Sequence, residues 1–210
     1  MKIVTADGRR RLVIVASELA GGHEFYHGTD SPPFDSFDPG KAAKGGRHYN
    51  PLGDAMYVTD KPEFARLFGR NVYPVRIPPG AKIRRVSPSA AGSAIRDIVV
   101  RALRRVGMKW WDMDLRFKVD VSRYLDQAGI SPYDAVMEIV SYMEASYPEI
   151  ADKFAESVSE VATEKFSKYD VVVFVGTNDP NNIFVGETPT KEILIFNKEF
   201  QKVLSPGVSP

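Results

Sequence analysis

The sequence predicts an α+β fold in which a block of helices interrupts a β-rich chain. Runs rich in Val, Ile, Tyr and Phe, which are typical of strands, occur near both ends of the 210 residues. Between them, residues 93–167 carry apolar side chains at helical spacing. This order indicates a sheet core with a helical insertion, and the length fits one domain over residues 1–210.

The N-terminal part is predicted to be mainly strands and loops. Residues 2–16 form two β-rich runs around an Asp-Gly pair, which favours a hairpin. The segments EFYHGT (24–29) and AMYVT (55–59) predict short strands. The segment 30–54 between them is dense in Gly, Pro and Asp, so we expect a long loop there.

A short helix and a further strand follow. Pro62 suits the first turn of a helix and Gly69 suits its end, which predicts a helix over residues 60–68. The proline-bounded segment NVYPVRIPPGAKI (71–83) predicts one strand.

The helical block is predicted from three amphipathic segments: 93–107, 131–147 and 149–167. We expect the Trp110–Trp111 pair to be buried under this block. After it, YDVVVFVG (169–176) and EILIFN (192–197) predict two more strands.

Composition excludes several classes of site. The 28 basic and 27 acidic residues leave a net charge of +1, which gives no general argument for nucleic acid or an anionic membrane. Without cysteine there can be no disulfide, thiolate metal site or cysteine nucleophile, and with three histidines we expect no metal. No apolar run approaches the roughly 20 residues that span a bilayer. We therefore expect a soluble protein that acts in the cytoplasm, its own or that of a target cell.

Three short motifs carry candidate chemistry: YHGT at 26–29, GDAMYVT at 53–59 and KEILIFN at 191–197. Each central residue alone is ordinary, since a histidine, tyrosine or glutamate at a strand end is most often structural. Together and in this order, the motifs resemble the His-Tyr-Glu class of ADP-ribosyltransferases, the class of diphtheria toxin and the poly(ADP-ribose) polymerases. The pattern is most similar to small phage and bacterial toxins or effectors of this class, and the helical block has no counterpart in it.

The resemblance implies a fold and a set of site residues. It implies two packed, strongly bent β-sheets around a cleft that binds NAD as a cosubstrate. Matching the motifs makes Glu192 the catalytic carboxylate, with His27 and Tyr57 as the other members of the catalytic set. The residues expected to bind NAD are His27, Gly28, Thr29, Tyr57 and Phe68.

The chemistry of NAD suits these residue types. Loss of nicotinamide leaves positive charge on the ribose, as in glycoside hydrolysis, and a carboxylate stabilises that charge. Tyr57 and Phe68 can sandwich the cationic ring. Gly28 lets the backbone approach the carboxamide, and His27 and Thr29 can bind ribose hydroxyls.

Two positions depart from the family pattern. Many members have a serine eight residues after the tyrosine, where this chain has Ala65. Arginine-modifying members carry Glu or Gln two residues before the catalytic glutamate, where this chain has Thr190, so arginine is not the expected target. Glu187 is a second, weaker carboxylate candidate.

The implied activity is mono-ADP-ribosylation of a macromolecule, with protein expected as the acceptor and no membrane involved. An antitoxin or immunity protein is a further partner that the resemblance allows for. Three alternatives stay open: an NAD glycohydrolase, a non-catalytic binding module, and a nucleic-acid modifier that uses Arg101, Arg104 and Arg105.

Overall fold

A computed structural model describes residues 24–32, 34, 37–38, 51–126, 131–177 and 190–201. The predicted hairpin over 2–16, most of the predicted loop over 30–54 and the candidate Glu187 lie outside the described residues.

The strands form one mixed six-stranded sheet in the order β3-β1-β2-β6-β5-β4. Their bounds are β1 Glu24–Thr29, β2 Met56–Thr59, β3 Asn71–Arg76, β4 Ile83–Val86, β5 Val171–Thr177 and β6 Thr190–Ile195. The α+β class is confirmed. The strands of the described residues form one sheet instead of the expected pair of packed sheets, because the antiparallel β2–β6 ladder joins both halves.

The single strand predicted over 71–83 is wrong, because the chain turns between β3 and β4. The turn contains two prolines and Gly80, whose φ is 89°. Proline cannot donate to a ladder, and a glycine with positive φ departs from the extended backbone of a strand.

Five helices lie within the described residues: α1 Pro62–Ala65, α2 Pro88–Arg105, α3 Leu115–Asp126, α4 Pro132–Ser146 and α5 Pro148–Phe166. The helices α2, α4 and α5 confirm the three amphipathic segments. A 3-10 turn, Arg66–Phe68, continues α1. Helix α3 was not predicted, because it buries only a narrow apolar stripe and leaves Leu115 75% exposed.

The helical block has a topological role. Strands β4 and β5 pair in parallel. Parallel neighbours cannot be joined by a tight hairpin and need a crossover. Helices α2–α5 form that crossover, so they connect two adjacent strands of the sheet.

Both faces of the sheet are covered. Phe174 and Leu194 pack with the helices, whereas Val173 and Ile193 belong to a second cluster on the opposite face. All four are essentially inaccessible, which explains why the late strands are continuous apolar runs. The expected burial of both tryptophans is wrong for Trp111, which is 65% exposed, while Trp110 packs against Phe117. The described helices include none with the length and apolar content needed to cross a bilayer.

Candidate functional site

The three residues of the motif lie on three neighbouring strands. His27 is on β1, Tyr57 on β2 and Glu192 on β6, and these strands are consecutive in the sheet. Thr59 lies directly opposite Glu192 in the β2–β6 ladder. Tyr57 is two residues from Thr59, so its side chain shares a face with Glu192.

His27 is held in one orientation. Its Nδ1 is 2.7 Å from the carbonyl oxygen of Tyr57, and its ring meets the rings of Phe34 and Phe37 edge-on. A carbonyl only accepts hydrogen bonds, so Nδ1 donates and Nε2 is the acceptor nitrogen. Burial lowers the pKa of His27 and outweighs the bond to Tyr57, which raises it. The imidazole is therefore neutral at pH 7.

The backbone ladder between β1 and β2 is short. All six residues of β1 pair with β3, whereas over the described residues the β1–β2 ladder registers only Tyr26 with Thr59. Next to this pair, the His27 side chain bonds the Tyr57 carbonyl. A side chain of β1 thus contributes to holding β1 against β2.

The site residues lie on two faces of the sheet. His27 lies with Phe25 and Tyr73 on the face away from the helices, since Tyr73 is its neighbour on β3 and Phe25 is two residues along β1. Tyr57 packs on the helix-covered face, which Glu192 shares. The side chains of His27 and Glu192 therefore lie on opposite faces, although only β2 stands between their strands.

Gly28 is required by packing as well as by any ligand. A Cβ at this position would overlap the carbonyl oxygen of Ala65, so the glycine allows α1 to lie against β1. Ala65, where the ADP-ribosyltransferases that the motifs resemble often have a serine, is 1% exposed. Thr29, at the end of β1, accepts a hydrogen bond at Oγ1 from the Ser31 N–H, at 3.1 Å.

Tyr57 is fixed through its hydroxyl group. The hydroxyl oxygen accepts a hydrogen bond from the Leu52 N–H at 2.9 Å. The segment before β2 is anchored on α5, where Thr163 Oγ1 accepts from the Asp54 N–H at 2.9 Å. Burial, and then the charge of Glu192, raise the pKa of Tyr57 well above its usual value, so the phenol stays neutral.

Phe68 lies at the rim, 49% exposed, in the turn after α1. The Tyr133 ring contacts both Phe68 and Tyr57. The Tyr133 ring centroid is 5.5 Å from that of Tyr57 and 6.2 Å from that of Phe68, with an interplanar angle of 85° in both pairs.

Glu192 is a buried carboxyl group with one oxygen engaged. Ser131 Oγ donates to its Oε2 at 2.6 Å. Its Oε1 has no hydrogen-bond partner among the described residues. Burial raises the pKa of Glu192 to about 8, with a smaller contribution from the charge of Asp134, against the bonds from Ser131 and the Tyr133 backbone, which lower it. The group therefore holds its proton at neutral pH.

Sequence reasoning missed the contribution of α4. Its first turn brings Ser131, Tyr133 and Asp134 to the site. The Ser-Pro pair signalled the start of a helix, and Ser131 does cap it by accepting from the Asp134 N–H. Nothing in the local sequence shows that this helix start faces β6.

Comparison with known proteins gives no relative: neither a protein-family model, nor a curated protein, nor a solved structure matches this chain. In the part of the chain that the structure covers, no three His, Asp or Glu side chains are grouped so as to hold a metal ion.

Proposed function

We propose that this chain is a mono-ADP-ribosyltransferase that moves ADP-ribose from NAD to a macromolecular acceptor. One observation carries the proposal: His27, Tyr57 and Glu192, far apart in sequence, lie on three consecutive strands of the sheet. The buried carboxyl oxygen Oε1, which has no partner within the described ranges, supports it. Buried polar atoms are normally paired, so an exception suggests a ligand group as the missing donor.

The proposed reaction breaks one bond and forms one. The glycosidic bond between C1′ of the ribose and the nicotinamide nitrogen breaks, and its electron pair neutralises the ring. The ribose becomes an oxocarbenium-like centre. A nucleophilic atom of the acceptor bonds C1′ and gives up a proton, which leaves ADP-ribose attached.

Each site residue has a proposed role in this reaction. Glu192 accepts the 2′-hydroxyl hydrogen bond at Oε1 and, once ionised, stabilises the positive charge that develops at C1′. His27, neutral with Nε2 as acceptor, binds a ribose hydroxyl. Tyr57 and Phe68 stack on the nicotinamide ring. The Gly28 backbone binds the carboxamide, and Thr29 binds a ribose hydroxyl.

A protein acceptor is favoured over nucleic acid by the charges on the helical block. Two of the three arginines suggested as a basic surface, Arg101 and Arg105 but not Arg104, form ion pairs with Glu160 and Glu164 of α5. Their charges are largely compensated, so they offer little net attraction to phosphates.

The test is nicotinamide release from NAD by the wild type and by Glu192→Gln, with and without cell lysate and labelled NAD. Glu192→Gln keeps the shape of the side chain and removes its charge. Glu156→Gln, on the exposed side of α5, is the matched control. Release that needs Glu192 and labels lysate protein supports the proposal. Nicotinamide release that is independent of lysate and labels nothing indicates a glycohydrolase. Labelled RNA or DNA indicates a nucleic-acid modifier. If calorimetry detects no NAD binding, the proposed enzymatic function is overturned.

A further inference from the structure

The first turn of α4 contacts the groups to which the proposed function assigns the nicotinamide end of NAD. Tyr133 contacts the rings of both Tyr57 and Phe68. Ser131 donates to Glu192. Three side chains assigned to one substrate are thus engaged by a single turn of the same chain.

The Tyr133 ring contacts both rings to which the proposed function assigns the nicotinamide ring. Centroid distances of 5.5 and 6.2 Å are direct aromatic contacts. A nicotinamide ring stacked against Tyr57 and Phe68 would need the space beside these rings that the Tyr133 ring fills. The phenol is therefore a competitor for the ring site, held in place by the helix that carries it.

The carboxyl group is engaged in the same way. Glu192 Oε2 accepts from Ser131 Oγ at 2.6 Å, and the Ser131 oxygen also caps α4. The Tyr133 backbone also hydrogen-bonds the carboxyl group. Glu192 therefore stabilises the start of α4 at the expense of its own access to substrate, since only 7% of its surface is exposed.

We infer that the first turn of α4, Ser131–Asp134, is an autoinhibitory element that excludes the nicotinamide end of NAD until it moves away from β2 and β6. This inference rests on the proposed function. A purely positioning role for the turn would need only the bonds to Glu192, whereas the Tyr133 ring also contacts both aromatic rings.

The decisive variants are Tyr133→Ala, which removes the competing ring, and Ser131→Ala, which keeps the ring and removes the bond to Glu192. Met137→Ala, one turn further along α4 and partly exposed, is the matched control. We expect Tyr133→Ala to bind NAD and release nicotinamide about tenfold better than wild type, since two aromatic contacts no longer compete. Ser131→Ala should show a smaller gain, and Met137→Ala none.

Two readouts separate exclusion from a structural role. Saturation of the wild type with nicotinamide alone should speed hydrogen exchange in the first turn of α4, whereas a ligand that merely binds beside the turn would slow it. The activity of Tyr133→Ala should also reach its plateau at lower pH, because an uncovered Glu192 ionises more easily. In the described part of the chain, the titratable groups set against Glu192 are Asp134 and Tyr133 of α4 and Tyr57 of β2.

The outcomes are distinguishable. Glu192-dependent turnover that falls or stays constant in Tyr133→Ala, with exchange unchanged by nicotinamide, overturns the inference and leaves the proposed function standing. Absence of NAD binding in the wild type and in both variants, all folded by circular dichroism, overturns the proposed function and the inference together.

Discussion

Ser131 and Glu192, 61 positions apart in the chain, share a buried hydrogen bond of 2.6 Å from Oγ to Oε2. This bond joins the helical block to the middle of the sheet at the candidate site. The block therefore does more than connect β4 to β5, because its α4 helix covers the carboxyl group on which the proposed chemistry depends.

Glu192→Gln should stabilise the protein at high pH. The pKa of Glu192 rises from 4.5 to about 8 on folding, so between these values the folded state keeps a proton that the unfolded state releases. Wild-type stability therefore falls as pH rises through this window, by roughly 1.4 kcal/mol for each unit of pKa difference. The glutamine in Glu192→Gln does not titrate. The free energy of unfolding of this variant should therefore match that of the wild type near pH 4.5 and exceed it above pH 8. Urea unfolding across this range measures the difference; parallel curves for Glu192→Gln and the control Glu156→Gln would contradict it.

His27 should give the opposite dependence. Folding lowers its pKa below 6.5, so the unfolded state takes up a proton first as pH falls. The contribution of His27 is complete above pH 6.5 and is lost as pH falls toward the lowered pKa. His27→Gln keeps an N–H donor for the Tyr57 carbonyl. The free energies of unfolding of this variant and of the wild type should diverge only on the acid side. Divergence on the alkaline side instead would show that the imidazole is not buried in its neutral form.

Gly28→Ala should loosen α1. A Cβ at position 28 overlaps the Ala65 carbonyl, and relieving that overlap moves the helix that leads to Phe68. The free energy of unfolding should fall by about 1–3 kcal/mol. Hydrogen exchange over residues 62–68 should also accelerate. Gly80→Ala is the control: it meets no atom within 4 Å but strains a backbone with φ of 89°, so it should lower stability without affecting α1.

Glu164→Gln should leave the charges of Arg101 and Arg105 less compensated. Glu164 pairs with Arg101 at 2.9 Å and also with Arg105. These groups are solvent-accessible, so the stability loss should be small and should shrink in salt. Retention on heparin should increase relative to Glu156→Gln. Equal retention of the two variants would show that the arginine charges are not masked in the wild type.

The sequence predicted those features that depend on local pattern. Helices α2, α4 and α5 follow from apolar spacing, because each buries a broad stripe. The break at Gly80 is not predicted by the pattern, because a proline-rich run between two β-rich segments also fits one strand. The placement of Tyr133 could not be predicted, since it depends on how α4 packs across β6, a contact between residues distant in sequence. The exposure of Trp111 likewise follows from packing and leaves no local signal.

Strand β6 is the last described strand along the chain, yet it lies between β2 and β5 in the middle of the sheet. During synthesis, all five other described strands leave the ribosome before it. A chain that ends before Thr190 therefore lacks the strand that joins the two halves of the sheet, and with it Glu192. We expect such a truncated chain to lack the proposed activity.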